Sequence, residues 1–292
     1  MKDEIIDCLA YNGKVSIKCI SSREIVEKAR KLHDLSPTAS AALGRLLTIT
    51  SIMGYELKTE EASITNQIKG NGPIGILTAV ADSNGNVKGY VGNSKVDLPL
   101  RETDGKLDVG GAVGKQGMLY IIKDLGIGKP YVGMTPIVSG EIAEDFTNYF
   151  ATSEQTPTVI ALGVLVDKNG IKSAGGYKLS LMPDAGEEEI SKIEEQIKNI
   201  EPVSKMLDEN KTLEEIAKIV TGDENLKVLE RTEPKFECNC SREKCEKGLI
   251  AIGKKELEDI IKEEEKIQIE CNFCNSKYVF TIEELQEIVA KM

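Results

Sequence analysis

Five of the seven cysteines of this chain fall between Cys238 and Cys274, in "FECNCSREKCEKG" and "IECNFCNSKYVF"; the other two are Cys8 and Cys19. The segment from about Leu226 onward is too small to bury a core that would hold it folded unaided, and modules of this size need a covalent or metal staple. Cys271-Asn-Phe-Cys274 is a CxxC pair, a loop that presents two thiolates to one tetrahedral ion. Cys238-Asn-Cys240 is a tighter CxC pair. Together they supply four thiolates, the donor set of a closed structural zinc site, with an iron–sulfur cluster as the competing reading. Histidine contributes nothing, since His33 is the only one in the chain. It reads as a surface or helix-end residue. Cys245 is a fifth candidate, and spacing leaves open a ligand set that uses it in place of Cys238 or Cys240. Lys235, Arg242, Lys244 and Lys277 flank the pairs and offer positive charge to a tetrathiolate centre.

The 292 residues, with a formal net charge of −11, suffice for a substantial core in two or more domains. No apolar run is long enough to span a membrane. The N-terminal "MKDEIIDCLAYNGKV" lacks an apolar signal region. We therefore expect a cytoplasmic protein, in a compartment that keeps thiols reduced, which favours metal binding over structural disulfides. The acidic balance opposes non-specific nucleic-acid binding, which relies on neutralising phosphates.

The fold class we expect is α+β: a mixed, largely antiparallel core over residues 1–183, a helical linker over 184–225 and a small zinc-binding domain over 226–292. Asn12-Gly13 marks a hairpin between two apolar runs. Ser22 is a candidate cap for "REIVEKARKLH", and Ser36 with Pro37 opens a helix that Gly54 ends. Strands follow in "ASITNQIKG", "PIGILTAVADSNGNVKGYV" and "GMLYIIKDLG", then a helix "GEIAEDFTNYFATSEQ" and the strands "TVIALGVLVD" and "IKSAGGYKLSLM". From Asp184 to about Asp223 the chain is rich in Glu and Lys. Ile190, Ile193, Ile197 and Ile200 form one narrow helical stripe, which Pro202 ends. Leu213, Ile216, Ala217 and Val220 form a second, capped by Thr212. Helices this short depend on docking. After it, "KKELEDIIKEEE" predicts a helix between the cysteine pairs, "KIQIECNFCNSKYVF" a β passage and "IEELQEIVAKM" a terminal helix.

Other motifs carry little chemistry. "GGAVGKQG" departs from the phosphate-binding loop, because Gly110 is one residue too close to Gly114-Lys115 and Gln116 replaces the hydroxyl residue. It reads as a turn. Glu141, Glu144, Asp145 and Glu154 concentrate carboxylates at a helix, which reads as a capped, solvated helix start. No nucleophile–base set is recognisable, so an enzyme is not expected. A tetrathiolate zinc site is by default an inert ribbon, yet thiolates are also the form of sulfur that oxidants attack, and loss of the ligands unfolds a metal-held module.

"CNCSREKC" and "CNFCNSKYVF" resemble the zinc module of the 33-kDa heat-shock protein family, the redox-regulated holdase chaperones. "GNGPIGILTAVADSNGNVKGYV", "GMLYIIKDLG", "SGEIAEDFTNYFATSEQTP" and "LGVLVDKNGIKSAGGYKLSLMP" resemble that family's core. The resemblance runs in order over nearly the whole chain. It implies an ATP-independent holdase for unfolding client proteins, active under oxidative stress. It also implies one zinc per reduced chain on Cys238, Cys240, Cys271 and Cys274, with the chaperone off. Oxidation then joins Cys238 to Cys240 and Cys271 to Cys274, zinc is lost, the linker unfolds and protomers pair as homodimers. Cys245 falls outside the implied zinc set. Cys8 and Cys19 have no implied role and read as buried structural thiols. The alternatives are a zinc-ribbon module binding nucleic acid or protein, and an enzyme with a purely structural zinc.

Overall fold

The computed structural model describes residues 2–263 and 266–292. Glu264 and Glu265, the expected end of the helix opened by Lys254, lie outside the described residues, as does Met1. The chain forms two compact units, Met1–Glu237 and Cys238–Met292.

The first unit holds two five-stranded sheets whose strand pairs are all antiparallel. Sheet one has the order β10-β1-β2-β9-β8, from Glu4–Ala10 (β1), Val15–Ser21 (β2), Thr158–Asp167 (β8), Gly170–Leu181 (β9) and Lys227–Thr232 (β10). Sheet two has the order β5-β4-β3-β6-β7, from Ser63–Gly70 (β3), Ile76–Asp82 (β4), Val87–Val91 (β5), Gly117–Asp124 (β6) and Tyr131–Pro136 (β7). This is the α+β, antiparallel architecture expected from the hairpin spacing. The β1–β2 connection turns at Asn12 and Gly13, both at positive φ, as the Asn-Gly signal requires.

Four helices accompany the sheets: α1 (Arg23–His33), α2 (Pro37–Tyr55), α3 (Val109–Val113) and α4 (Ala143–Thr152). Helix α2 packs on strands of both sheets and is buried from Thr38 to Gly54 except at Arg45. A helix apolar all round belongs in a core. Ser36 caps it, accepting the Ala39 amide at 3.2 Å, with Pro37 next. The expected cap on α1 is corrected. The Ser22 hydroxyl instead pairs with Thr48 at 2.7 Å, and the carboxylate of Asp3 takes the Glu24 and Ile25 amides at 3.0 and 2.7 Å. The glycine-rich turn contains α3, whose Asp108 cap accepts the Gly111 amide at 2.8 Å. The α4 start is not a solvated one. Asp145 is fully buried and accepts amides from Val138, Ser139 and Ile142 at 2.8, 3.0 and 3.0 Å.

The linker segment forms α5 (Glu187–Lys198), α6 (Val203–Asp208) and α7 (Leu213–Thr221). Their apolar side chains cover one face of sheet one. Ile193, Val203, Met206, Ile216, Ala217 and Val220 are buried in one cluster with Ile6, Cys8, Ile17, Cys19, Tyr177 and Leu179. Ile197 and Ile200 pack at its margin. Thr212 caps α7 with Glu215 reciprocating, as read from the sequence. Helix α6 comes so close to the sheet that a Cβ at Gly163 would lie 2.8 Å from that of Ser204, and one at Gly175 2.4 Å from Leu207 Cδ1. Cys8 and Cys19 are fully buried beneath these helices; burial pushes the Cys8 thiol up to about 12 and Cys19 well up, so neither supplies thiolate. His33 ends α1, its Nε2 3.0 Å from the Gly89 carbonyl oxygen.

The second unit comprises α8 (Arg242–Ile252), α9 (Lys254–Glu263), β11 (Lys266–Glu270), β12 (Lys277–Thr281) and α10 (Ile282–Lys291). Helix α8, which carries Cys245, was not anticipated. The buried core here is Leu249, Leu257, Phe280, Leu285 and Ile288.

Docking, rather than helix propensity, holds α5–α7 in place. Replacing fully buried Ile216 by Ala removes about 2–5 kcal/mol of packing. The expected result is faster amide exchange across Glu187–Thr221 with the α2 amides unchanged. Uniform acceleration of both would show that linker and core unfold as one.

Candidate metal centre

In the second unit, β11 and β12 pair in register from Lys266↔Thr281 to Glu270↔Lys277, so Cys271–Ser276 is the loop between them. The Cys271 carbonyl accepts the Cys274 and Asn275 amides at 3.2 and 2.7 Å, and the Cys271 amide donates to Ser276 O at 3.0 Å. The turn needs a left-handed residue at Asn275 (φ 56°), which asparagine tolerates better than most. Both sulfurs of the CxxC pair are thereby aimed from one loop.

The CxC pair arrives just before α8. Ser241 caps that helix, accepting the Lys244 amide at 3.3 Å. Arg242 then pins the helix start: it donates to Val279 O at 2.7 Å and to Glu284 at 2.6 Å, and stacks 4.2 Å from the Phe280 ring centroid. A single guanidinium ties the segment bearing Cys238 and Cys240 to the strand and helix that follow Cys274.

The four sulfurs of Cys238, Cys240, Cys271 and Cys274 lie within 4.8 Å of one another, all half-buried. Cys238 and Cys271 are 3.8 Å apart and Cys240 and Cys274 3.2 Å. A zinc–sulfur bond of about 2.3 Å implies tetrahedral sulfur separations of about 3.8 Å. The donor set and its spacing therefore fit a closed zinc site. Cys245 lies outside this group, half-buried against the small core.

Two groups beside the sulfurs were not anticipated. The Tyr278 hydroxyl is 3.1 Å from Cys240 Sγ, and the Ser276 hydroxyl 3.2 Å from Cys274 Sγ. Both follow the CxxC pair closely, but polar residues next to a cysteine carry no periodic signal. Burial pushes Cys238 up to about 12 and raises Cys271. At Cys274 burial acts the same way but is outweighed by hydrogen bonds from Ser276, Cys240 and Cys238, and the thiol falls to about 6. The flanking cations serve other partners: Arg242 pairs with Glu284, Lys277 with Glu270 at 3.8 Å, and Lys244 donates to Asn239 O at 2.8 Å. Lys235 belongs to the first unit.

The carboxylate cluster does not converge on one site. Glu141 takes Arg45 at 2.6 Å and Arg101 at 2.8 Å, and Glu154 takes Lys123 and Tyr149, each at 2.6 Å. These, with the Asp145 cap, are structural contacts; Glu144 stands apart, exposed.

Cys271→Ser and Cys274→Ser are each expected to abolish tight zinc binding, measured as zinc per chain after dialysis against a weak chelator. Cys245→Ser is expected to retain about one ion, the count one tetrathiolate site takes.

Residues 3–281 match the family model described as Hsp33 protein. The chain is 48% identical to the 33 kDa chaperonin of Clostridioides difficile over 292 residues, covering 100% of both chains. It is 46% identical to that of Bacillus cytotoxicus, covering 99% of each. A crystal structure of the 33 kDa chaperonin from Thermotoga maritima superposes with a TM-score of 0.89 at 40% identity, over 100% of this chain and 99% of that one. Among the described residues no helix is long and apolar enough to cross a membrane. On these matches, which agree with the architecture and the sulfur tetrad, the chain belongs to the Hsp33 family of holdase chaperones, which are not enzymes.

Proposed function

We propose that this protein is a redox-switched, ATP-independent cytoplasmic holdase for unfolding client proteins. The observation that carries the reading is the tetrad of half-buried sulfurs in a unit whose buried core, among the described residues, is five side chains. Cys238, Cys240, Cys271 and Cys274 hold one zinc ion in the reduced protein. The bound ion supplies folding energy to the module, which its small core lacks. Thiolates there are the reactive form of sulfur. Peroxide takes two electrons per disulfide and is reduced to water, joining Cys271 to Cys274 and Cys238 to Cys240. Each pair lies within one short stretch of chain, and all four sulfurs lie within 4.8 Å of one another. With its ligands consumed the site loses the metal and the module its fold.

The functional division is a core of 1–183, a linker of 184–225 and a sensing segment of 226–292. The start of that last segment includes β10, which adds to β1 in sheet one. Strand β10 directly follows α7, so strain or loosening in the sensing segment reaches the linker through a short connection. Release of α5–α7 would uncover the apolar face built from Ile6, Ile17, Tyr177 and Leu179. Exposed apolar surface of this kind is what client proteins bind and what lets oxidised protomers dimerise.

The test compares the zinc-loaded reduced protein with the peroxide-treated protein, each mixed with guanidine-denatured citrate synthase diluted into buffer. The oxidised form is expected to suppress light scattering without ATP, to have lost its zinc and to run as a dimer. Equal protection by the reduced form, or zinc loss without protection, would return the tetrad to a purely structural role.

A further inference from the structure

The sulfurs of the metal centre differ in their surroundings. Ser276 stands two residues from Cys274 in one loop, so its hydroxyl, 3.2 Å from Cys274 Sγ, goes wherever that loop goes. Tyr278 is different. Its hydroxyl lies 3.1 Å from the Sγ of Cys240, 38 residues earlier in the chain. This contact exists only while the CxC pair is folded onto β12.

Side chains on a strand alternate, so Tyr278 and Phe280 point to the same face of β12. Phe280 is buried there, and Tyr278 packs against the same small core. Cys240 and Arg242 are likewise two residues apart. Cys240 meets the Tyr278 hydroxyl, and Arg242 lies over the Phe280 ring at 4.2 Å. The guanidinium, tied also to Val279 O and Glu284, fixes the register between the two segments. Ring packing and the Arg242 tie together hold the phenol oxygen at the sulfur.

The chemistry of that contact follows from charge. Four thiolates on one divalent ion make a net negative centre. Arg242, Lys244 and Lys277 are committed to Glu284, Asn239 O and Glu270. Charge on sulfur is then offset by hydrogen bonds, and a phenol stays protonated, hence a donor, at neutral pH. Donation draws electron density off the sulfur and strengthens the assembled site, as outer-shell partners of metal ligands do. It also makes the sulfur less reactive. In oxidation, a thiolate lone pair attacks one peroxide oxygen and expels hydroxide, leaving a sulfenic acid. The second thiolate of the pair attacks that sulfur and expels a second hydroxide as the disulfide closes. A lone pair engaged by a phenol O–H is less available for either attack. We propose that Tyr278 is a positioning residue of the switch: its hydroxyl donates to the Cys240 thiolate, holds that sulfur in the ligand set and restrains its oxidation. The proposal rests on the zinc reading of the tetrad and adds to it a restraint supplied by a residue that is not a ligand.

Tyr278→Phe keeps the ring and removes the hydroxyl. In the reduced, zinc-loaded full chain it is expected to weaken zinc binding about tenfold in competition with a chelator. Peroxide-driven zinc release is expected to be about fivefold faster. Iodoacetamide should label Cys240 faster relative to Cys238. In the cobalt-substituted protein the sulfur-to-cobalt charge-transfer band should move to longer wavelength, because a sulfur without its donor gives up an electron more easily. A packing role alone would leave the band in place. Amide exchange at Leu257 and Leu285 reports whether the core of the unit is intact. If phenylalanine disturbs it, 3-fluorotyrosine placed at 278 makes the same test in the opposite direction. It is a stronger donor, compared with tyrosine at a mildly acidic pH where both stay protonated, and is expected to give tighter zinc binding, slower release and a band at shorter wavelength. Unchanged affinity, release rate and band with the core intact overturn the proposal and leave the zinc reading standing. An unaltered reduced chain that retains no zinc overturns the zinc reading itself, and the proposal with it.

Discussion

Everything in the second unit turns on bringing four sulfurs together from two places more than thirty residues apart. The local geometry does half of this, because the Cys271–Ser276 loop aims two of them by backbone hydrogen bonds alone. The other half depends on Arg242, whose guanidinium reaches the β12 backbone, Glu284 and the face of Phe280 at once. A lysine there would keep the charge and lose the fork. Five buried side chains are little to oppose the conformational entropy of a segment this long. In a unit with so small a core, the meeting point of the four sulfurs is where a tie adds most.

The same logic governs the linker. Its three helices carry too few buried residues to stand alone, and each is held by what lies beneath it on sheet one. Gly163 and Gly175 let α6 approach the sheet backbone. Cys8 and Cys19 belong to this layer, where burial holds both in the unreactive thiol form.

Much of this was legible in the sequence where a pattern repeats. The Asn12-Gly13 hairpin, the Ser36-Pro37 helix start, the Thr212 cap, the second linker stripe and Ile193 and Ile197 of the first each rest on periodicity or fixed spacing, whereas Ile190 stays outside the buried cluster and Ile200 packs from beyond the end of α5. Shorter elements escaped. Helix α6 is six residues long, too short for a period of 3.6 to show. Strand β10 has a mostly exposed surface and exists because β1 offers an edge to pair with. Ser22 looked like a cap, but Asp3, distant in sequence, reaches the same amides. Of the candidate site, the paired cysteines were visible, whereas Tyr278, Ser276 and the pinning role of Arg242 depend on tertiary placement that no spacing encodes.

The two sheets of the first unit treat their second faces differently: that of sheet one is apolar beneath α5–α7, whereas that of sheet two carries Ser63, Thr65, Gln67 and Lys69 along its central strand. Sheet one hides its second face beneath α5–α7. Sheet two leaves its second face half-exposed and limits the hazard at its edge, where Pro130 and Pro136 shorten the usable ladder. An exposed, unbroken edge of this composition would recruit further strands and aggregate. A protein that handles unfolded chains faces that hazard in its sharpest form, because its ligands are themselves strand-forming. A helical cover over the apolar face of sheet one and a short, proline-bounded ladder at the edge of sheet two each limit strand-by-strand growth.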